Sequence, residues 1–182
     1  TTGVDLAAES IRIAQVNALN NRVENAHFDI HDIRETYIEK GFDYVFNLFT
    51  SFGYFEKTEE NLKVLAAASG NLNRQGVFVL DYLNVQKTIP NLIPQESKNL
   101  DGIQFDIQRQ YNGKHIIKDI VVHDQSETHH FQERVAAFDR KTLEKMVSKV
   151  NLKIVDVFGD YDLNQFDTDK SDRLILVMRI KN

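Results

Sequence analysis

The hydrophobic pattern of the first half of the chain predicts strands that alternate with helices. "TTGVDL" and "AHFDI" are short stretches with strand character, and the segment between them has helical spacing at Ile11, Ala14, Gln15 and Ala18. A continuous apolar run, "FDYVFNLF", is typical of a strand that is buried on both faces of a parallel sheet. This alternation indicates crossover units and a mostly parallel α/β sheet.

Two further elements complete the alternating part. Thr58 is predicted to cap a helix that ends near Leu72, because glutamates follow it in the first turn and Gly70 lies near the end. The strongly apolar "GVFVLDYLN" comes next and predicts a strand that ends in polar residues.

The pattern then changes to that of antiparallel strands. "NVQKTIPNLIPQESKN" contains both prolines and predicts an irregular connection. Period-two alternation and the Asn112-Gly113 turn then predict a three-stranded antiparallel meander over residues 100–138, inserted into the α/β alternation. Asp139 is predicted to cap a last helix, and the two closing strands should pair antiparallel because the loop between them is too short for a crossover helix.

Composition narrows the class of protein. A chain of 182 residues, 42% of them hydrophobic, is enough for one core, so we expect a single domain over residues 1–182. The net charge of -5 argues against a nucleic-acid partner and favours a small molecule. The sequence has no cysteine, which fits the cytoplasm, and no apolar run approaches the roughly 20 residues of a membrane helix, so no membrane partner is expected.

Candidate ligand-binding residues follow the predicted strands, because ligands of open parallel sheets bind at the carboxyl ends of the strands. Asp5 is placed to accept both hydroxyls of a ribose, or to cap the following helix, and spacing does not separate the two. Asp32 is placed to accept a hydrogen bond from an adenine amino group, or to lie in a solvated loop.

The order of these segments resembles a known family. "GVDLAAESIRIAQVNA", "HFDIHDIRE", "FDYVFNLFTSFGYF", "ENLKVLAAASGNLNRQGVFVLDYLN" and the closing strand pair are similar to the second to seventh strands of class I S-adenosylmethionine-dependent methyltransferases. The resemblance covers nearly the whole chain except the meander. It implies a Rossmann-like sheet with strand order 3-2-1-4-5-7-6, an antiparallel last strand, and methyl transfer from S-adenosylmethionine to a small molecule.

The resemblance also implies a cofactor site and an acceptor site, although it assigns no catalytic residue. Asp5 would contact the ribose hydroxyls, and Leu6 would pack by the adenine. Asp32 and Ile33 would contact the adenine edge. The methionine part and its sulfonium would be contacted by Asn47, Leu48 and Phe49. An aromatic side chain at Phe49 suits a cation. Tyr54 and Asn84 would face the acceptor.

One departure from the family concerns its Gly-rich loop after the first strand, since this sequence has no GxG and opens at Thr1 where the second strand would begin. An N-terminal part is then missing from this sequence, or a non-catalytic binding module has lost its cofactor loop. The order of all other elements favours the first interpretation. A smaller departure is Ala7, where the family often has a capping serine. A dinucleotide oxidoreductase is disfavoured by the antiparallel last strand.

Histidines and charges of the meander give weaker signals. His123, His129 and His130 are not expected to hold a metal, because adjacent strand residues point to opposite faces. Arg109, Glu133 and Arg134 are expected on a solvated outer face, with selection of a charged substrate as the alternative.

Overall fold

A computed structural model describes residues 1–39, 41–125 and 127–181, so Lys40, Ser126 within the predicted meander, and Asn182 lie outside the described residues. The elements are β1 (Thr2–Asp5), α1 (Ala8–Asn20), β2 (His27–Ile30), β3 (Phe42–Asn47), α2 (Thr58–Asn71), β4 (Leu72–Leu83), α3 (Val85–Thr88), β5 (Gln95–Leu100), β6 (Ile103–Tyr111), β7 (His115–Asp124), β8 (Glu127–Ala136), α4 (Arg140–Ser148), β9 (Leu152–Phe158) and β10 (Arg173–Ile180). The mixed α/β class is confirmed, and so is the predicted order of helices and strands outside residues 85–100.

The main sheet has the strand order β3-β4-β10-β9. β3 and β4 run parallel, whereas β10 is antiparallel to both of its neighbours. The predicted antiparallel pairing of the two closing strands is therefore confirmed. It places the carboxyl ends of β3 and β4 beside the first residues of β10, which is the edge of the sheet where polar side chains collect.

One face of this sheet carries the core. Alternate residues of β4 and β10 point into it and are almost completely buried: Phe78, Leu80, Tyr82, Leu174, Leu176 and Met178. α2 and α4 cover them, and α4 contributes Leu143, Met146 and Val147 from one side of the helix. The amphipathic spacing of α4 therefore explains where it packs.

The helix starts are only partly as predicted. Asp139 caps α4, since its Oδ1 accepts a hydrogen bond from the backbone N–H of Thr142 at 2.8 Å. The predicted capping role of Thr58 was wrong, because Thr58 is the first helical residue of α2 and Lys57 is the capping residue. Glu60 reaches back to the Lys57 backbone N–H, so a first-turn carboxylate replaces the expected hydroxyl cap.

The opposite face of the main sheet is open, and the prediction that β3 is buried on both faces was wrong. Tyr44 and Phe46 of β3 are 63% and 58% exposed, and their rings stack 6.0 Å apart. Phe46 pairs with Val79 of β4, which pairs with Val177 of β10, so an apolar row crosses three strands on this side. Helices α2 and α4 lie on the other side, which leaves the aromatic side chains in contact with solvent.

The first elements form a separate β1-α1-β2 unit in which the two strands run parallel. It is tied to α2 by the segment after β2, where Arg34 bonds Glu60 at 2.6 Å and the backbone N–H of Tyr37 bonds the Asn71 side chain at 2.9 Å. The predicted sheet is thus present as two parts, β2-β1 and β3-β4-β10-β9. Within the residues that the structure describes, no strand occupies the position between β1 and β3.

The inserted antiparallel sheet has four strands in the order β5-β6-β7-β8, which corrects the predicted three-stranded meander. The additional strand, β5, lies in the segment predicted as an irregular connection and pairs with β6 from Gln95 to Leu100. Its sequence, "QESKNL", is polar at all but one position, so hydrophobic periodicity does not reveal it. An edge strand of this kind is held by its backbone ladder.

Candidate functional site

The chain makes a sharp turn where β3 ends at Asn47. Phe49 and Thr50 both have left-handed backbone conformations, with φ of 56° and 63°. Such conformations cost about 1 kcal/mol or more for residues other than glycine, and Thr50 is β-branched. The turn therefore depends on contacts that hold it in place.

A buried carboxylate provides these contacts. Asp81 of β4 is 1% exposed, and its Oδ2 accepts a hydrogen bond from the Phe49 backbone N–H at 2.7 Å. The Asp81 carbonyl oxygen accepts from the Thr50 N–H at 3.1 Å. Arg173 donates from Nε to Asp81 Oδ1 at 2.7 Å and from Nη2 to Thr50 Oγ1 at 2.9 Å. The charge on Asp81 is thus neutralised by Arg173, and the strained turn is fixed at two successive N–H groups.

Tyr161, on the loop between β9 and β10, closes over this network. Its hydroxyl donates to Asp81 Oδ2 at 2.9 Å, and burial together with this hydrogen bond raises the pKa of Tyr161. The rings of Phe49 and Tyr161 meet edge to face with centroids 6.2 Å apart, yet they are 74% and 60% exposed. We call these two residues the aromatic corner.

The loop that carries Tyr161 is anchored by Asn84. This side chain is buried, and its amide group donates to the carbonyl oxygens of Thr168 and Ser171, both at 2.8 Å. Its Oδ1 also accepts from the backbone N–H of Gln86 at the start of α3. Asn84, predicted to face the acceptor, therefore lies beneath the loop and is fully engaged in holding it.

Gly53 joins the turn after β3 to the inserted sheet. Its φ is +92°, and a Cβ atom there would lie 2.8 Å from the hydroxyl of Tyr82, so glycine is required for both reasons. The Gly53 carbonyl accepts from the Ala136 N–H at 2.8 Å, and the Tyr82 hydroxyl donates to the Ala136 carbonyl. The end of β8 is thereby fixed next to Tyr54.

Tyr54 is half exposed and faces charged residues of the inserted sheet. Its pKa is raised, first by partial burial and then by the negative charge of Glu133 on β8. Glu133 is paired with Lys118 of β7 at 3.2 Å, and it lies on the same face of β8 as Val135, which contacts Gly53. Glu133 is exposed, as the sequence predicted, and it shares its face of β8 with a residue that contacts the turn.

The other charged and histidine residues of this sheet have local partners. Arg109 is bonded to Glu96 at 2.7 Å, and Arg134 is bonded to His115 at 3.2 Å. Burial, followed by the charge of Arg134, lowers the pKa of His115. Across residues 1–39, 41–125 and 127–181, no three His, Asp or Glu side chains come together in a group that could hold a metal ion.

Asp5 and Leu6 are exposed at the carboxyl end of β1. Asp5 Oδ1 accepts a hydrogen bond from the Ala7 N–H at 2.7 Å, so the predicted contact with the helix start is present. Within the described part of the chain, Oδ2 makes no hydrogen bond. One carboxylate oxygen thus supports the entry to α1, and the other is free for a ligand.

Asp32 and Ile33 follow β2 and are partly buried. Both oxygens of Asp32 accept hydrogen bonds from Arg34, whose Nη2 lies 2.5 Å from Oδ2, and this hydrogen bonding lowers the pKa of Asp32. The Arg34 guanidinium also stacks on the Phe55 ring at 4.5 Å. The alternative of a loosely solvated loop does not describe this segment, since it connects two parts of the fold.

Asn47 combines burial with an unused acceptor. Its side-chain Oδ1 is buried and has no hydrogen-bond partner in the described structure. Because buried polar atoms are nearly always hydrogen-bonded, such an oxygen indicates that a donor is supplied by a ligand or by another part of the protein. The adjacent residues Leu48 and Phe49 are exposed.

The structure therefore collects the predicted residues at the carboxyl ends of β1, β2 and β3, with Tyr54 beyond the turn. Sequence reasoning placed Asp81 among the polar residues at the end of its strand but gave it no role, and it missed Tyr161 and Arg173. The signal for Asp81 was a carboxylate inside the apolar run "GVFVLDYL", which needs a cationic partner when it is buried. No comparable sequence signal marks Tyr161.

A comparison with protein families identifies the chain. Residues 1–137 match the sequence model of a family described as a methyltransferase domain. The chain belongs to this family. S-adenosylmethionine is the cofactor of these methyltransferases. A comparison with curated proteins gave no significant match.

Solved structures of methyltransferases share the fold. An S-adenosylmethionine-dependent methyltransferase from Clostridium acetobutylicum matches with a TM-score of 0.88 and 18% identity, over 100% of this chain and 75% of that one. The CcbJ methyltransferase from Streptomyces caelestis gives 0.84 and 16%, over 100% and 74%. The sugar N-methyltransferase KedS8 from Streptoalloteichus gives 0.71 and 15%, over 100% and 71%. The chain thus has a methyltransferase fold.

The residues of this methyltransferase domain fit the cofactor chemically. S-adenosylmethionine has hydroxyl and ammonium donors, and Asp5 Oδ2 and Asn47 Oδ1 are acceptors without partners in the described structure. Its sulfonium is a cation, and Phe49 offers an exposed aromatic ring. As for membranes, none of the helices in the described ranges is long and apolar enough to cross a bilayer.

Proposed function

We propose that this methyltransferase domain transfers the methyl group of S-adenosylmethionine to a small-molecule acceptor. The observation that carries the proposal is the buried, unpartnered Oδ1 of Asn47 at the carboxyl end of β3, next to the exposed ring of Phe49. The methionine end of the cofactor has an ammonium group that can donate to this oxygen and a sulfonium cation that suits the face of an aromatic ring.

The cofactor contacts follow from position and chemistry. Asp5 binds the ribose hydroxyls through its free oxygen, and Leu6 packs by the adenine. Asp32 and Ile33 border the adenine edge. The Asp32 carboxylate accepts hydrogen bonds from the Arg34 side chain, so the two residues form this border together. Asn47 accepts from the methionine amino group, and Leu48 and Phe49 lie against the sulfonium.

The acceptor side is formed by Tyr54 and the inserted sheet. Tyr54 is half exposed and faces Glu133, so the pair presents a phenol and a carboxylate to an incoming molecule. Asn84 contributes indirectly, because it holds the loop of Tyr161. A small acceptor is supported by the likeness to KedS8, which is a sugar N-methyltransferase.

The chemistry needs positioning more than acid–base groups from the protein. Bound S-adenosylmethionine supplies a methyl group that its sulfonium has already activated. Residues Asn47, Phe49 and Tyr54 then fix the direction of approach and exclude water from the space between the two ligands. We therefore assign no general base among them.

We further propose that one more strand fits between β1 and β3. Each of these strands has a partner on one side only, and Tyr44 and Phe46 expose an apolar face beside the gap. Parallel sheets are normally covered on both faces, so a strand followed by a helix would fill the gap and cover the rings.

The cytoplasm is the proposed location. The sequence contains no cysteine, so nothing in the fold depends on an oxidising compartment. Methyl transfer from S-adenosylmethionine is compatible with a reducing one.

Thermal unfolding with S-adenosylhomocysteine tests the proposal. The melting temperature is measured for the 182-residue chain and for a version extended by the sequence encoded upstream of Thr1. We expect stabilisation of the extended protein by several degrees at ligand concentrations well above Kd, and little for the shorter chain. Absence of any shift in the extended protein would support the rival function, a non-catalytic binding module of the same fold.

A further inference from the structure

The aromatic corner is unusual because the protein stabilises it at some cost. Phe49 and Tyr161 come from different loops, and both are largely exposed. Their positions nevertheless depend on Asp81, a buried carboxylate that bonds the backbone of one and the hydroxyl of the other. The two exposed rings are thus held by a left-handed turn and a buried carboxylate, both of which are energetically unfavourable in isolation. Rigid exposed aromatic residues are typical of binding surfaces.

The surroundings of the corner are negatively charged. Residues 160–172 include five aspartates and one lysine, a formal charge of -4. Asp160 and Asp162 flank Tyr161 directly, and hydrogen bonds from Asn164 lower the pKa of Asp160, so it stays ionised near neutral pH. Arg173, which is partly buried, is already paired with Asp81. Lys87 pairs with Asp172 at 2.6 Å and Lys170 with Asp167 at 3.7 Å, so the remaining negative charge is that of Asp160, Asp162 and Asp169. This charge favours a cation at the corner.

The two rings are suited to a cation as well. They meet at an interplanar angle of 63°, so a face of one ring and the edge region of the other border the same space. The Tyr161 hydroxyl donates to a carboxylate, which increases the electron density of its ring. An ammonium group over such a face gains roughly 0.5 to 2 kcal/mol.

We propose that the aromatic corner binds the ammonium group of an amine-bearing acceptor, with Asp81 as the positioning residue for both rings. This inference rests on the proposed methyltransferase function and names the class of acceptor. Phe49 belongs both to the proposed cofactor site and to the corner, so one residue would border the sulfonium and the acceptor. Tyr161 then determines specificity through its ring, and the acidic loop adds long-range attraction.

The test uses a simple amine and needs no cofactor. Tyrosine and phenylalanine rings of the 182-residue chain are observed by NMR while glucosamine is added in mildly acidic buffer, where its amine is an ammonium. N-acetylglucosamine is the matched probe, because it keeps the sugar and lacks the charge. We expect saturable shifts of the Tyr161 and Phe49 ring signals with glucosamine and at least roughly tenfold weaker binding of N-acetylglucosamine.

Variants separate the corner from general surface binding. Tyr161→Leu should abolish the saturable shifts, whereas Tyr111→Leu, at an exposed tyrosine of β6, should leave them unchanged. Tyr161→Phe keeps the ring and loses the bond to Asp81, and it should weaken glucosamine binding by roughly threefold to tenfold. Heteronuclear spectra of each variant establish that it is folded.

Several outcomes would overturn the inference. Equal binding of the two sugars would show that charge has no role, and unchanged binding to Tyr161→Leu would place the amine elsewhere. Full affinity in Tyr161→Phe would remove the positioning role of Asp81. Because cofactor binding is measured separately by thermal unfolding, failure of the amine test leaves the methyltransferase assignment unaffected and is distinguishable from failure of cofactor binding.

Discussion

Asp81 Oδ1 accepts a hydrogen bond from Arg173 Nε at 2.7 Å, and this buried pair joins β4 to the first residue of β10. The same two side chains hold the turn after β3, through Asp81 to Phe49 and through Arg173 to Thr50. The packing of β4 against β10 and the shape of the candidate site therefore depend on the same ion pair. Several measurable consequences follow from this and from neighbouring contacts.

Replacement of Arg173 by methionine should strongly destabilise the protein. The Arg173→Met variant leaves Asp81 buried and without its cation, and loss of one partner of a buried pair costs about 3 kcal/mol or more. Urea unfolding measures the change in the free energy of unfolding. Arg12→Met is the matched control, because the Arg12–Glu9 pair is well exposed and screened by water, so its loss should have a much smaller effect. Equal effects of the two substitutions would contradict the buried-pair interpretation.

Substitution of Gly53 should have a larger effect than substitution of a comparable glycine elsewhere. In Gly53→Ala the new methyl group must adopt φ near +92° and also meets the Tyr82 hydroxyl at 2.8 Å. Gly102 has a similar φ of +86° but has no neighbour within 4 Å. We expect about 1 kcal/mol from backbone strain in Gly102→Ala, and at least about twice that in Gly53→Ala, from thermal or urea unfolding. Similar values would mean that the contact with Tyr82 relaxes at no cost.

Asp5→Ala should weaken binding of S-adenosylhomocysteine by about 1 to 3 kcal/mol in a protein that binds the ligand, as measured by calorimetry. The free Oδ2 is the atom expected to bind the ribose. Ala7→Pro is the matched control. Ala7 has a φ of -77°, which proline can adopt. The Ala7→Pro variant lacks the backbone N–H that donates to Asp5, but it retains the Asp5 carboxylate. If both variants bind equally well, Asp5 serves the helix start alone.

Asp139 should make stability depend on pH in the acid range. Hydrogen bonding by Thr142, through its side chain and then its backbone, holds the pKa of Asp139 below the unfolded value of about 3.9. The carboxylate therefore contributes fully above about pH 4, and its contribution is lost as the pH falls through the lower folded-state pKa. Asp139→Ala should cost about 1 kcal/mol near neutral pH, and the difference from wild type should shrink toward acid.

Urea unfolding at a series of pH values measures this difference directly. A difference for Asp139→Ala that stays constant from neutral to acid pH would contradict the linkage to its ionisation.

The fold was predictable wherever one side of a helix or strand packs on the core, because apolar residues then recur at a regular spacing in the sequence. α4 places Leu143, Met146 and Val147 on one side, and β4 alternates Phe78, Leu80 and Tyr82 toward the core. β5 was not predictable, because an edge strand held by backbone hydrogen bonds has no apolar face. The exposure of Tyr44 and Phe46 was also missed, since an apolar run does not reveal whether a covering helix is present.

The candidate site was predictable to the level of strand ends. Asp5, Asn47 and Phe49 could be placed because topology brings the carboxyl ends of parallel strands to one edge. Tyr161 could not, because its role depends on a contact with Asp81 that spans 80 positions along the chain. The buried position of Asn84 was likewise hidden, since its two acceptors lie in a loop without periodicity.

The shape of the aromatic corner and the ring that it presents are determined by different residues. Asp81 and Arg173 fix the backbone beneath both loops, so position 161 can change from one ring to another while the turn keeps its shape. If the corner binds the acceptor as proposed, single substitutions in the β9–β10 loop would change acceptor preference without disturbing the ion pair. Loss of the ion pair, by contrast, removes the contacts that position the backbone of both loops, whichever ring is present.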